Sequence, residues 1–157
     1  MDGAPARGEP ASKARLRLWL KLLKATRRVE ADLRERLRRE FDSTLPRFDV
    51  MAALQRHPQG LRMTELSGVL RVSNGNVTGI VDRLVEDGLV ARSAVPGDRR
   101  ASRVRLTPAG AELFARQAAA HEGWVDELLA GLSPEEAEAM TALLGETSGV
   151  VETREPA

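Results

Sequence analysis

The stretch SNGNVTGIVDRLVEDGLV, residues 73–90, decides how the rest of the chain is read. Its apolar residues fall at Val77, Ile80, Val81, Leu84 and Val85, the spacing of one buried helical stripe. Ser73 stands just before that stripe as an N-cap, its hydroxyl able to accept a first-turn N–H, and Gly88 stops the helix where glycine is favoured. The opposite face carries Asn74, Gly75, Asn76, Thr78, Gly79 and Arg83, polar or without a side chain, and offers no Glu or Lys. Two glycines one turn apart each cost a helix about 1 kcal/mol relative to Ala, so this face is shaped for close approach of a partner. Asn-Gly is otherwise a hairpin signal, but no period-2 strand flanks it and a helical stripe follows at once.

Working outward, Met63–Leu70 reads as a short amphipathic helix with Leu66, Val69 and Leu70 apolar, and Arg71-Val72-Ser73 as the turn after it. Short helix, tight turn and longer polar-faced helix make a helix-turn-helix. Val90–Val95 can then form a strand, Pro96-Gly97-Asp98 a turn, and Arg103–Thr107 a second strand in which Val104 and Leu106 point one way and Arg103 and Arg105 the other. The result is a winged helix-turn-helix with Arg99 and Arg100 at the wing tip. Residues such as Asn74, Asn76 and Thr78 suit base edges and phosphates in a major groove. Ser73, Gly75, Gly79 and Arg83 complete that candidate DNA-binding face, and Arg99 and Arg100 suit the adjacent minor groove. Asp98 is assigned to orienting the wing, by accepting turn N–H groups or pairing with an arginine.

SNGNVTGIVDRLVEDGLV followed by GDRRASRVRLTPAG (97–110) resembles the MarR family of regulators, including a D-x-R wing signature at Asp98 and Arg100 and an L-T-P-x-G exit. The resemblance extends from about Leu16 to Thr147. It implies a triangular homodimer with two DNA-reading lobes and an effector pocket between the first, second and fifth helices.

Composition narrows the alternatives. No apolar run is long enough to span a bilayer, and the N-terminus has no apolar signal-peptide core, so a cytoplasmic protein without membrane contact is expected. Without any cysteine there is no disulfide, thiolate metal site or thiol switch. Net charge is only +1, but it is segregated. Between Lys13 and Arg39, eleven basic residues face three acids, and between Arg92 and Arg105 five arginines face Asp98 alone. The acids collect toward the C-terminus, the footprint of a DNA binder with one basic side.

The expected fold is mainly α with a small β-wing: a winged helix-turn-helix flanked by long N- and C-terminal dimerisation helices. Residues 1–12 read as a disordered arm, 13–42 and 108–148 as the helical dimerisation region, 43–107 as the DNA-binding region and 149–157 as a flexible tail. The first helix is apolar almost all round at Leu16, Leu18, Trp19, Leu20, Leu22 and Leu23, then narrows to Thr26, Val29, Leu33 and Leu37. An end that is apolar on every side needs cover on every side, which argues for a second copy of the chain. Ser43 or Thr44 caps a second helix that buries Phe48, Met51, Ala52 and Leu54, and Leu61-Arg62 is a candidate minimal strand pairing with the wing. Thr107-Pro108 opens a helix with Leu113, Ala120, Trp124, Val125, Leu128 and Leu129 as candidates for burial. Ser133-Pro134-Glu135-Glu136 is a capping box that opens the last helix, with Ala137, Met140, Leu143 and Leu144 on one face.

The basic run of the first helix reads either as a solvated face or as a site for an anionic effector. RLRLWLKLLKATRRVE (15–30) and TLPRFDVMAAL (44–54) resemble a MarR subgroup that represses breakdown of plant-derived aromatic acids and responds to their coenzyme A thioesters. On that resemblance Trp19, Leu23, Phe48 and Met51 would hold an aromatic group, and Arg17, Arg27 and Arg28 would meet phosphates. His57 and His121, far apart, read as cap or surface residues, so no metal or cofactor is assigned. No catalytic constellation is visible. The function expected is a homodimeric repressor that binds a pseudo-palindromic operator on double-stranded DNA and is released by a small aromatic effector, an aromatic acyl-CoA thioester among the candidates. Its rivals are a repressor of efflux genes released by free phenolics and a winged-helix adaptor that binds protein.

Overall fold

A computed structural model describes residues 8–70 and 74–147. Six helices and three strands follow in order: α1 (Ala11–Phe41), α2 (Leu45–Gln55), β1 (Leu61–Arg62), α3 (Met63–Leu70), α4 (Asn74–Glu86), β2 (Val90–Val95), β3 (Asp98–Leu106), α5 (Pro108–Leu128) and α6 (Pro134–Thr147). The expected class, mainly helical with a small wing, is the one observed. The chain divides between Glu122 and Gly123 into two compact units.

In the first unit, α1 ends where Asp42 turns left-handed (φ 48°), with the Asp42 N–H donating to the Arg38 carbonyl and the Ser43 N–H to that of Leu37. Thr44 then caps α2 by accepting the Arg47 N–H at 3.3 Å. The α2 helix packs against α1, α3, α4 and β3. It therefore buries Val50 and Ala53 as well as Phe48, Met51 and Leu54, while Ala52, expected in the stripe, is only half-buried. Around it closes a core of Val50, Met51, Leu54, Leu66, Val77, Val81, Leu84 and Val104, none more than 1% exposed.

The sheet runs β1-β3-β2, antiparallel throughout, with Leu61 opposite Val104 and Val90 opposite Leu106. The minimal strand at Leu61-Arg62 thus does pair with the wing. Strand β3 begins at Asp98, five residues earlier than its apolar alternation suggested, because pairing with β2 continues almost to the turn. At the exit from the wing, Thr107 Oγ1 donates to the Gly88 carbonyl (2.7 Å) and accepts the Gly110 N–H (3.0 Å). A Cβ on Gly110 would stand 2.0 Å from the Leu89 carbonyl oxygen. The T-P-x-G segment therefore locks the start of α5 onto the end of the helix-turn-helix, and only glycine fits its fourth position.

Three expected burials fail, two of them by helix geometry. The inward arc of α3 is centred on Leu66, Ser67 and Leu70, and Val69 falls about 60° outside it at 49% exposure. Val85, one residue past Leu84, lies at the margin of the α4 stripe and is 36% exposed. Leu129 falls just beyond the end of α5 and is 44% exposed.

The second unit comprises the end of α5, with Trp124 buried, and α6. The predicted capping box is present in reciprocal form: Ser133 Oγ accepts the Glu136 N–H (3.1 Å), and Glu136 accepts the Ser133 N–H (2.9 Å). Met140, Leu143 and Leu144 on α6 are exposed.

Candidate nucleic-acid interface

The inward face of α4 is fixed by Val77, Val81 and Leu84, all fully buried. That anchoring turns Gly75, Asn76, Thr78, Gly79 and Arg83 outward, and all five are exposed. Asn74 is the first residue of α4, while Ser73 lies outside the described residues. Among the described residues, nothing beyond the helix's own backbone comes within 4 Å of a Cβ placed on Gly75 or Gly79. The two glycines therefore serve no packing among the described residues. What they leave is a shallow trough along the outer face of a rigidly anchored helix, closed below by Thr44, the cap of α2, and by Arg47 within it, with a volume of about 290 Å³.

Two ion pairs brace this helix, and both join residues too far apart in sequence to be seen in a helical or strand pattern. Arg92 of β2 meets Asp82 at 2.8 Å, and Arg47 of α2 meets Asp87, just past the end of α4, at 2.7 Å. Pairs this exposed contribute ~0–1 kcal/mol each, so their consequence is geometric. They tie the orientation of α4 to the wing on one side and to α2 on the other. Arg47 is the more confined, its Nε buried without a hydrogen-bond partner among the described residues.

In the wing, Gly97 takes a left-handed φ of 82° and the pairing of β2 with β3 shifts register between Ala94 and Val95. Asp98 Oδ1 accepts the Arg100 N–H at 3.0 Å, which stiffens the turn from inside. Arg99 and Arg100 are both exposed. Arg103 differs from its neighbours: it donates to the Gly60 carbonyl (3.0 Å) and ties β1 to the wing.

The residues expected to hold an effector are dispersed. Trp19 is 56% exposed, Leu23 is half-buried, and Met51 is only 1% exposed as part of the core. Phe48 is occupied by aromatic neighbours, with the His121 ring stacked at 4.7 Å and the Phe114 ring at 5.4 Å. His121 is thus half-buried against Phe48, where the sequence suggested a cap or surface position. Arg17 is paired with Glu9 at 2.8 Å, which holds the Glu9 carboxyl below its ordinary range, while Arg27 and Arg28 are exposed. Further along, Arg34–Glu30 and Arg38–Glu35 are pairs within one or two turns, so that part of the basic run is an ordinary solvated face. The trough is lined by none of the seven candidate effector residues. Among the described residues there is no group of three acidic or histidine side chains able to hold a metal, and no helix is long and apolar enough to cross a membrane.

Comparison with known proteins agrees with this geometry. The MarR family model matches residues 43–102. A MarR family transcriptional regulator from Silicibacter pomeroyi superposes with a TM-score of 0.74 at 37% identity, covering 90% of this chain and 99% of that one. A mutant MarR from E. coli, complexed with operator DNA, gives a TM-score of 0.74 at 26% identity and covers 88% and 99% of the two chains. The HTH-type transcriptional regulator PecS of Dickeya dadantii is 32% identical over 100 residues, a match that takes in 62% of this chain and 60% of PecS. These relatives are regulators of transcription, not enzymes.

Proposed function

Since this chain belongs to the MarR family of transcriptional regulators, we propose that it is a homodimeric repressor that holds a pseudo-palindromic operator and lets go when a small aromatic effector binds. The observation that carries the DNA reading is the outer face of α4, where open glycines and short polar side chains sit on a helix held still by its core and two ion pairs. Such a face admits a groove wall closely, with Asn76 and Thr78 at base edges and Arg83 toward phosphates. Arg99 and Arg100 reach the neighbouring minor groove from a wing stiffened by Asp98. In this reading residues 43–107 read DNA, and 13–42 with 108–148 join the two copies. The joining is supported by Leu16, Leu18, Trp19 and Leu20 on α1, each more than half exposed.

Selection from a pool of random duplexes, followed by anisotropy titration across salt concentrations, tests the core of this reading. Affinity should fall with salt at a log–log slope of about −0.9 per phosphate neutralised. Footprints should show two half-sites about 10 base pairs apart, centre to centre. A protein that enriches no duplex and shows no salt-dependent binding is the adaptor instead.

The effector reading rests on the cationic α1 beside the aromatic group at Phe48, together with the subgroup resemblance. Binding can release DNA only if the ligand prefers a conformation whose two recognition helices no longer match the groove spacing. A typical coupling of ~1–3 kcal/mol would lower operator affinity roughly 5–150-fold. Preformed protein–duplex complex should be titrated with p-coumaroyl-CoA, feruloyl-CoA, benzoyl-CoA, the free acids and plain CoA. Release by free acids and not by thioesters would replace the acyl-CoA reading with that of an efflux repressor.

A further inference from the structure

We propose that a cavity between α2, α3 and α4, separate from the residues assigned to an aromatic acid, binds a small organic cation: an apolar body carrying one protonated amine. The cavity has a volume of about 360 Å³, within the usual size of a small-molecule site, and is lined by Pro46, Asp49, Val50, Leu70, Asn76 and Ile80. Its walls are thus mostly hydrocarbon, from Pro46, Val50, Leu70 and Ile80. Asn76 and the carboxylate of Asp49 supply the polarity.

Asp49 is the informative residue. It sits in the second turn of α2, one position before the fully buried Val50, and makes no hydrogen bond or ion pair among the described residues. Desolvation beside this apolar wall pushes its carboxyl above the ordinary aspartate range. Glu30 of α1 pushes the same way, while His121 of α5 and Arg34 of α1 oppose it without prevailing. An exposed carboxylate at the edge of an apolar wall, with no hydrogen bond or ion pair among the described residues, favours a cationic hydrogen-bond donor over a neutral one, and repels an anion. An aromatic carboxylate of the same shape is therefore the wrong ligand for this cavity.

The place of the cavity gives its occupant a consequence, and this step rests on the DNA-binding reading of α4. Asn76 and Ile80 line it from α4, and both also line the trough under the outer face of that helix. A ligand seated against them stabilises one position of α4 over others. Its effect on DNA affinity must then equal the effect of DNA on ligand affinity.

The test uses three probes that share an indole body and differ in charge: tryptamine (cationic), tryptophol (neutral) and indole-3-propionate (anionic). Calorimetry on the full-length protein without DNA should rank them in that order, tryptamine binding on the order of 5- to 10-fold tighter than tryptophol. Asp49→Asn should erase that preference, and Leu70→Trp, which fills the cavity, should abolish binding of tryptamine and tryptophol alike. Equal or tighter binding of indole-3-propionate, an unchanged preference in Asp49→Asn, or no binding of tryptamine at millimolar concentration would each overturn the proposal. Tryptamine should also weaken binding to the selected duplex in the wild type and not in Asp49→Asn. If no duplex is bound at all, the regulator reading falls while the calorimetric result stands. If tryptamine binds and DNA affinity is unmoved, the coupling is wrong.

Discussion

The lobe from α2 to β3 and the N-terminal half of α1 contain much the same apolar residue types but meet different fates. In the lobe, Leu54, Leu66, Val77, Leu84 and Val104 are sealed inside one chain, at 1% exposure or less. On α1, Leu16, Leu18, Trp19 and Leu20 stand between 53% and 56% exposed. A stripe one face wide can be covered by the chain's own neighbouring helices. The described chain leaves these four residues of the collar exposed, and in the proposed dimer a second copy would cover them. The lobe closes its core within one copy; this part of α1 does not.

The largest effect should come from attacking the collar. Changing Leu16, Leu18 and Leu20 to Ser removes three side chains whose full burial is worth ~1.5–3 kcal/mol each, and a symmetric dimer loses each of them twice. The dimer dissociation constant should rise on the order of 10³-fold or more, which sedimentation velocity at micromolar concentration would show as a shift from dimer to monomer. Far-UV circular dichroism should keep the helical signal of the lobe. A wild-type chain that sediments as a monomer would end the contrast between the two regions.

Next in size is the wing. Arg99→Ala with Arg100→Ala removes two exposed cations that no core contact depends on. Operator affinity should drop on the order of 10-fold or more, and the salt slope should flatten by about 2 or more per dimer. Thermal stability should stay within about 0.5 kcal/mol of wild type. A double variant with an unchanged slope would remove the wing from the DNA interface.

The glycines divide the molecule in another way. Gly75→Ala and Gly79→Ala place a methyl in open space on a helix, so each should stabilise the fold by ~0.5–1 kcal/mol while weakening operator binding. Gly110→Ala should do the reverse and unfold the wing junction, because its Cβ collides with the Leu89 backbone. Scanning calorimetry on the three variants separates a glycine kept for an outside partner from one kept for packing. A lower melting temperature in the first two would mean they serve the fold after all.

How much of this could be read from sequence follows the range of the interactions. Capping at Thr107 and Ser133 and the apolar stripe of α4 depend on residues close together or on strong periodicity, and were legible; the first cap was narrowed to Ser43 or Thr44, and the structure gives Thr44. The early start of β3 was not, since Arg-Arg-Ala-Ser carries no alternation and only the partner strand defines it. The braces Arg47–Asp87 and Arg92–Asp82 join separate elements that each show only a solvated charge. The stack of Phe48 on His121 crosses from α2 to α5, and neither helix's own pattern predicts which aromatic residue will face which. The effector residues were the least legible, because they were placed by resemblance and by charge along one helix. The fold spreads them over a solvent-facing collar, a packed core and an aromatic stack.

The smallest effect, and the finest division within the lobe, concerns Asp49. Asp49 lines an apolar cavity from an exposed position on α2, and its carboxyl is raised above the ordinary range chiefly by desolvation. A group with a higher pKa folded than unfolded favours the native state most when protonated. That contribution is complete below the unfolded value, about 3.9 for aspartate, and is lost as pH rises through the folded value. At neutral pH the ionised Asp49 is therefore a mild liability. Asp49→Asn, neutral at every pH, should melt slightly higher than wild type at pH 7, and the gain should shrink as pH falls toward 4. Because the side chain remains partly solvated, the expected shift is a degree or two, within reach of paired differential scanning calorimetry. Glu30, Arg34 and His121 face the same carboxyl, so His121→Gln should be measured beside it. Loss of this neighbour, which lowers the Asp49 carboxyl, would raise that carboxyl further and enlarge the Asn advantage. A variant that melts lower at pH 7, or a gain that persists at pH 4, would show that Asp49 is held by interactions that favour its charge, and the cavity would lose its claim on a cation.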